Sequence, residues 1–345
     1  MAIELAKLPE PITVLFSDPG ACTGYAQFVD NRITGTLQYW TAAGTRETCD
    51  PPLTGQPADF AHMGNTADFC AGGVLPADVG DFGAPIQTIN LITDKDSSQT
   101  ALSAEALYFI FGFGSEAQVT PWVDDFAIFH RRTNSFVHLF IADVVGVPPT
   151  GFPGGETTER STNDETVEAV ATAGATDPER TLGYVSGSAA DKGAERGLVK
   201  TLAYQHYGQS CGYLPDSSPT RLDKLNVRLG QYYLWTPGHF FARKGGAGEI
   251  VNPRVKDLVD WFGGKPAPGG IDVTRIVIES GDVPQCAMRA TRAGVTGPIS
   301  SFAPAEPCGC YFEQIATGST SCTACTTDTE CSGDSPKCRS GFCEA

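Results

Sequence analysis

The amino-acid sequence predicts an α/β protein with a small disulfide-rich segment at its C-terminal end. Two observations carry this. Short β-branched apolar runs alternate with runs of helical period through most of the 345 residues, and seven of the twelve cysteines fall between Cys308 and Cys343. Strands alternating with helices predict a mainly parallel sheet covered on both faces. No repeat of fixed period is present, which excludes a solenoid.

The first element is a buried strand at Ile12–Phe16 (ITVLF). A turn at Ser17-Asp18-Pro19-Gly20 then leads into a helix start at Ala21–Phe28. Ile33–Tyr39 reads as part of a hairpin, followed by a Pro-rich loop holding Cys49, and Pro85–Thr93 as a buried strand. Ser103 is placed to cap a helix through Leu107, Ile110 and Phe111. Asp125–His130 is strand-like, and Ser135–Val145 reads as a helix closed by Gly146. The acidic run Gly154–Glu168 opens a helix with Val167, Val170 and Ala171 on its apolar side, and Thr181–Ser186 is a strand. Ala194–Tyr204 has helical spacing of Leu198, Val199, Leu202 and Ala203. The remaining elements are a strand broken at Pro237 (Gln231–Ala242), a helix started by Asn252-Pro253, and a last strand at Val273–Glu279.

The tail sets the compartment. Cys308, Cys310, Cys322, Cys325, Cys331, Cys338 and Cys343 lie among Gly, Ser, Pro and Thr without a nearby histidine. Cys322 and Cys325 could form half of a zinc knuckle, but no second C-x-x-C completes it, and small disulfide-stapled loops suit the spacing better. Cys49 and Cys70 flank one loop and are the first choice for a further bridge. Five cysteines outside the tail cannot all pair among themselves, so one must be free or reach Cys308 or Cys310. Such a chain belongs in a periplasmic or extracellular space, yet Met1–Leu8 has neither a basic nor an apolar region of a signal peptide, so the signal is expected to be missing from this chain. A formal charge of −16 repels phosphate backbones and argues against a nucleic-acid partner. No apolar run approaches the ~20 residues of a transmembrane helix.

The order of several segments carries a family resemblance. These are Leu15–Phe28; Pro57-Ala58-Asp59-Phe60; Pro85-Ile86-Gln87 with Ser97-Ser98-Gln99-Thr100 and Ser103-Ala104-Glu105; Phe129-His130-Arg131-Arg132; Gly183-Tyr184-Val185-Ser186; and Tyr232–Pro237. Over residues 12 to 300 the chain resembles the phosphate-type substrate-binding proteins of ABC transporters, with the type 2 periplasmic-binding fold. The resemblance implies a two-lobed α/β protein that captures a small ligand or anion between its lobes and needs no cofactor or metal. It implies lobe 1 over 1–92, lobe 2 over 93–232, a return to lobe 1 over 233–306 and the Cys-rich tail over 307–345. Crossings are expected near Gly83–Thr93 and Tyr232–Arg243, and an ABC permease is the implied partner. Beside that family only Ile3–Leu8, which resembles the end of the first helix, precedes Ile12, so the first strand–helix unit is expected to be missing, through natural loss or through a start assigned too late in the reading frame.

Ligand contacts are expected at two helix N-termini, where backbone N–H groups face an anion. The first is Ala21, Cys22, Thr23 and Gly24; the second is Arg131, Arg132 and Ser135. The family's Ser-Gly-Thr reads Ser135-Phe136-Val137 here, and its Ser-Asp reads Met63-Gly64. Each lost charge-assisted bond is worth ~1.5–3 kcal/mol, so a phosphate cage lacking two of them would lose about two to four orders of magnitude in affinity. Either the ligand differs or the chain is a binding-protein-derived scaffold.

Enzyme chemistry finds little support. Gly208-Gln209-Ser210-Cys211-Gly212 matches the nucleophile elbow in letters, but the motif needs a strand before it and a helix after it. His62, His130, His138, His206 and His239 have no metal-ligand spacing, and His130 and His138 read as packing residues. Glu156–Glu168 lacks a calcium-loop pattern and reads as solvated.

Overall fold

The computed structural model describes residues 1–70 and 73–345. Helices α1 (Ala2–Ala6) and α2 (Ala21–Val29) come first, followed by strands β1 (Leu37–Trp40), β2 (Arg46–Cys49), β3 (Phe60–Met63), β4 (Val79–Asp94) and β5 (Ala101–Ser103). Then come α3 (Ala104–Phe113), β6 (Ile128–Arg131), α4 (Phe136–Val145), β7 (Glu159–Arg160), α5 (Asn163–Gly174), β8 (Leu182–Ser186) and α6 (Gly187–Glu195). β9 (Val199–Thr201), β10 (Ala203–Gln205), α7 (Leu225–Arg228), β11 (Trp235–Arg243), α8 (Pro253–Phe262) and α9 (Val273–Glu279) follow. The C-terminal part holds β12 (Ala290–Arg292), β13 (Ile299–Ser301), α10 (Gly309–Thr317), β14 (Lys337–Arg339) and β15 (Phe342–Glu344).

The chain divides into two compact units: unit 1 is Met1–Pro85 with Pro237–Val277, and unit 2 is Ile86–Thr236 with Ile278–Ala345. Strands β4 and β11 each run from one unit into the other, changing at Pro85/Ile86 and Thr236/Pro237. Residues 278–306, expected to return to lobe 1, pack with unit 2, and so does the tail.

In unit 1, β3 pairs antiparallel with β11, Ala61 opposite Phe241. One face of this pair meets α2 in a cluster of Tyr25, Phe28, Met63 and Phe241. Ala242 and Phe60 pack with Val255 and Val259 of α8. Asn252 starts α8 by accepting from the Arg254 N–H at 3.0 Å, with Pro253 in the first turn, where its missing N–H costs nothing.

The unit 2 sheet is mixed rather than mainly parallel. β8 pairs parallel with β6, and β6 with β7, whereas β4 pairs antiparallel with both β8 and β9. Alternation of element types leaves the direction of a returning strand unspecified, and β9 returns alongside β4. Ile92, Val167, Val170, Val185 and Val199 form the core between this sheet, α5 and α6.

Three elements differ from the sequence expectation. Ile12–Phe16 is extended, but it joins no named strand and makes only the isolated bridge Phe16–Gln38. The expected helix at Ala194–Tyr204 ends at Glu195, and Gly197 in the left-handed region (φ 65°) turns the chain into β9 and β10. Val273–Glu279 is helical despite its β-branched residues, because Asp272 Oδ1 accepts from the Arg275 N–H at 2.8 Å and caps the first turn.

Five disulfides are present: Cys22–Cys70, Cys286–Cys308, Cys310–Cys322, Cys325–Cys338 and Cys331–Cys343. The expected partner of Cys70 is corrected from Cys49 to Cys22. Cys49 instead sits opposite Leu37 in the β1–β2 hairpin and is free, as is Cys211. Cys286 is the outside cysteine that reaches the tail. Cys322 and Cys325 lie in different bridges, so the thiolates of a zinc knuckle are consumed.

Candidate functional site

Helix α2 begins at Gly20, whose φ of 98° is open to glycine at little cost, and no side chain caps it. Of the four residues expected to contact ligand here, Ala21 and Gly24 line a cavity of about 440 Å³ in unit 1. Thr23 is exposed and does not line it. Cys22 spends its sulfur on the bridge to Cys70 and is corrected from ligand contact to staple. Met63, where the family carries a serine, is a core residue at 5% exposure beside Tyr25 and Phe28.

The second set lies in unit 2. β6 delivers Arg131, and a turn closed by the Ser135 N–H donating to the Arg132 carbonyl at 2.8 Å leads into α4. Ser135 Oγ accepts from the His138 N–H at 3.4 Å, so its hydroxyl serves as the helix cap. Phe136 and Val137 N–H donate to no group among the described residues. Arg131 is buried and donates through Nη1 to the Arg160 carbonyl at 3.1 Å. Arg132 is half-buried, and its Nε is shielded from water without an acceptor among the described residues. This turn therefore gathers donors, and Arg131, Arg132 and Ser135 lie in or beside it.

The neighbouring histidines are held as packing groups. His138 Nδ1 lies 2.6 Å from the Tyr184 hydroxyl and its Nε2 is 2.7 Å from the Pro149 carbonyl; burial pushes its pKa down to about 4. His130 contacts the Arg131 and Gly155 carbonyls, each at 3.2 Å. Ser210 of the G-x-S-x-G stretch is exposed, and no helix follows it, so the strand–turn–helix geometry of an elbow is not built.

A third cluster escaped the sequence reading. Lys224, 2% exposed, places Nζ 2.8 Å from Asp191 and 3.2 Å from Asp216. Burial opposes the ammonium charge, but the two carboxylates more than offset it and raise its pKa. Burial raises both acids too, Asp216 to about 6, with Asp191 adding to the rise of Asp216 and Lys224 opposing it at both. Asp282 is pushed to about 7, chiefly by burial, and with Lys224 and Asp191 it lines a second cavity of about 230 Å³ in unit 2. Positions 191, 216, 224 and 282 have no common spacing in the sequence, so no local pattern could have announced them.

No protein-family model matches the chain, and no curated protein sequence matches it. Among solved structures, its fold is similar to an ABC-type phosphate transport receptor from Vibrio cholerae, with 15% identity, a TM-score of 0.45, and 66% of this chain and 80% of that chain covered. It is also similar to PstS from Borrelia burgdorferi, at 14% identity and a TM-score of 0.40 over 66% of this chain and 79% of that one. A regulatory domain of OxyR from Pseudomonas aeruginosa shares 11% identity at a TM-score of 0.33, with 58% and 70% covered. The likeness is to phosphate receptors of ABC systems, and this chain also carries a disulfide-rich C-terminal segment.

Proposed function

We propose that the protein is a non-enzymatic solute-binding protein that captures a small oxyanion at the turn before α4, for transport through a permease or for sensing. The supporting observation is the concentration of donors there: the acceptorless Arg132 Nε and the Phe136 and Val137 N–H groups at a helix N-terminus. A buried donor without an acceptor carries a desolvation cost that a bound anion would remove. Five disulfides agree with a periplasmic or extracellular setting, and no helix among the described residues is long and apolar enough to cross a membrane.

A second reading, a scaffold that has lost capture, is favoured by specific substitutions. Phe136 and Val137 stand where a glycine and a threonine would approach the anion, and Met63 is committed to the core. The two readings separate in thermal-shift titrations with phosphate, sulfate and other oxyanions. Capture requires a melting temperature that climbs with ligand concentration, and Arg132→Gln should weaken that response ~10-fold or more. A flat response across the panel selects the scaffold.

A further inference from the structure

Helix α3 of unit 2 is apolar on both sides. Its inner side, Leu107, Ile110 and Phe111, is buried. Its outer side carries Tyr108, Phe109, Gly112 and Phe113, spaced as one helical stripe, and all four are exposed, Phe109 at 48% and Phe113 at 51%. The three rings touch one another, with centres 5.5, 5.7 and 5.9 Å apart. A single exposed ring needs no explanation, but a contiguous stripe of them marks a contact surface. The charge around the stripe is of one sign. Residues 101–130 contain Glu105, Glu116, Asp124 and Asp125 and neither lysine nor arginine. Asp124 is paired with Arg180, and Asp125 accepts from Ser115. Glu105, in the first turn of α3, and Glu116, in the turn that follows its last residue, are exposed and make no hydrogen bond or ion pair among the described residues. The aromatic face therefore has a free carboxylate beyond each end.

We propose that the outer face of α3 docks a basic amphipathic helix of another protein, whose apolar side seats on the three rings and whose Arg or Lys side chains meet Glu105 and Glu116. Charge selects this occupant. A second copy docked through the same face would set these carboxylates against their own counterparts, and an anionic membrane would meet the same repulsion. A basic helix meets both ends with opposite charge, and its cations are also drawn to the faces of exposed Tyr and Phe rings. Side chains three and four apart on α3 form ridges that fit the grooves of a second helix, with the missing side chain of Gly112 leaving room between Phe109 and Phe113. The chain itself, with 40 acidic against 24 basic residues, is an ill-suited source of such a segment. This inference does not depend on the solute-binding reading.

The test measures binding of a labelled helical peptide to the intact protein by fluorescence anisotropy at about 0.15 M salt. The probe is a Leu/Ala helix with arginines flanking its apolar face; one control carries Glu in place of Arg and another Ser in place of Leu. The probe should bind roughly tenfold or more tightly than either control. Phe109→Ser with Phe113→Ser, both at exposed positions, should weaken its binding by about the same factor without moving the unfolding midpoint. Glu105→Gln with Glu116→Gln, which leaves the rings in place, should weaken binding several-fold and reduce its salt dependence. Undiminished binding to both variants would put the peptide elsewhere on an acidic surface, and equal binding of probe and controls, or no binding at all, would remove the complementarity; each result overturns the proposal. Self-association of the protein that Phe109→Ser with Phe113→Ser abolishes would assign the face to a second copy, and co-sedimentation with phosphatidylcholine vesicles that the same pair abolishes would assign it to lipid; both overturn it as well.

Discussion

Lys224 is the residue whose loss should be felt most. Its ammonium is held between the half-buried Asp191 and the buried Asp216, and removing it would leave both carboxylates without their cation. Breaking a buried ion pair from one side typically costs ~3–5 kcal/mol, whereas replacing all partners with neutral groups of similar shape can cost little. We therefore expect Lys224→Met to lower the urea midpoint strongly and Lys224→Met with Asp191→Asn and Asp216→Asn to recover much of the loss. A single variant within ~1 kcal/mol of the parent would show that the cluster does not carry the local fold. The same residues mark where sequence reading stops. That Arg131, Arg132 and Ser135 lie together was legible because they sit within five positions of one helix start. The Lys224 cluster was not, because long-range packing assembled it.

Elements with a local start signal were the ones the sequence could place. Ser103 and Ser135 cap α3 and α4 by accepting from backbone N–H groups three residues on, at 3.2 and 3.4 Å, and Gly146 closes α4 at φ 74°. Thr162 and Glu165 form a reciprocal capping box that opens α5, visible as Thr-x-x-Glu in the acidic run. Thr162→Ala should cost ~1 kcal/mol in chemical unfolding; a neutral result would mean that Val167 and Val170 in the core fix α5 without its cap. The misplaced elements lack that locality. Val273–Glu279 has the composition of a strand and becomes a helix because one side chain, Asp272, caps it. Ile12–Phe16 has the pattern of a strand yet pairs only through the Phe16–Gln38 bridge, since pairing depends on a neighbour that the pattern does not contain. β9 and β10 were hidden by apolar spacing that fits both periods, until Gly197 broke the helix.

For the whole molecule, the buried acids of unit 2 make a contribution to pH dependence whose sign can be worked out. Asp282 titrates near 7 in the folded chain, chiefly through burial, against ~3.9 when unfolded. A carboxyl raised in this way binds its proton more tightly when folded, so its protonated form stabilises the fold at low pH. That contribution is complete below about pH 4 and fades as pH rises through 7; Asp216, raised to about 6, acts in the same direction. His62, His138 and His206, each lowered to about 4 by burial, contribute with the opposite sign below about pH 6.5, so the acid contribution is read as a difference: between pH 5 and 8 the stability of the parent relative to Asp282→Asn should fall as pH rises. A difference that stays constant with pH would place Asp282 in a wetter setting than its packing indicates.

The tail contributes to stability at this scale because it is part of unit 2. Cys286–Cys308 ties it to the preceding segment, and three more bridges close loops with sequence separations of 12 or 13 residues. α10 is held from outside the tail: Arg228 donates to the Gly309 carbonyl at 3.2 Å, pairs with Glu313 at 3.3 Å, and lies 4.9 Å from the centre of the buried Phe312 ring. A loop of that size is worth ~3 kcal/mol per bridge in chain entropy, and the tail has few buried apolar residues of its own. Reduction should melt β14 and β15, whereas the Arg228–Phe312 contact gives α10 a reason to persist. Hydrogen exchange after mild reduction checks this: fast exchange confined to the last 25 residues or so is expected, and simultaneous loss of protection across α6 and α7 would mean that the bridges hold unit 2 as a whole.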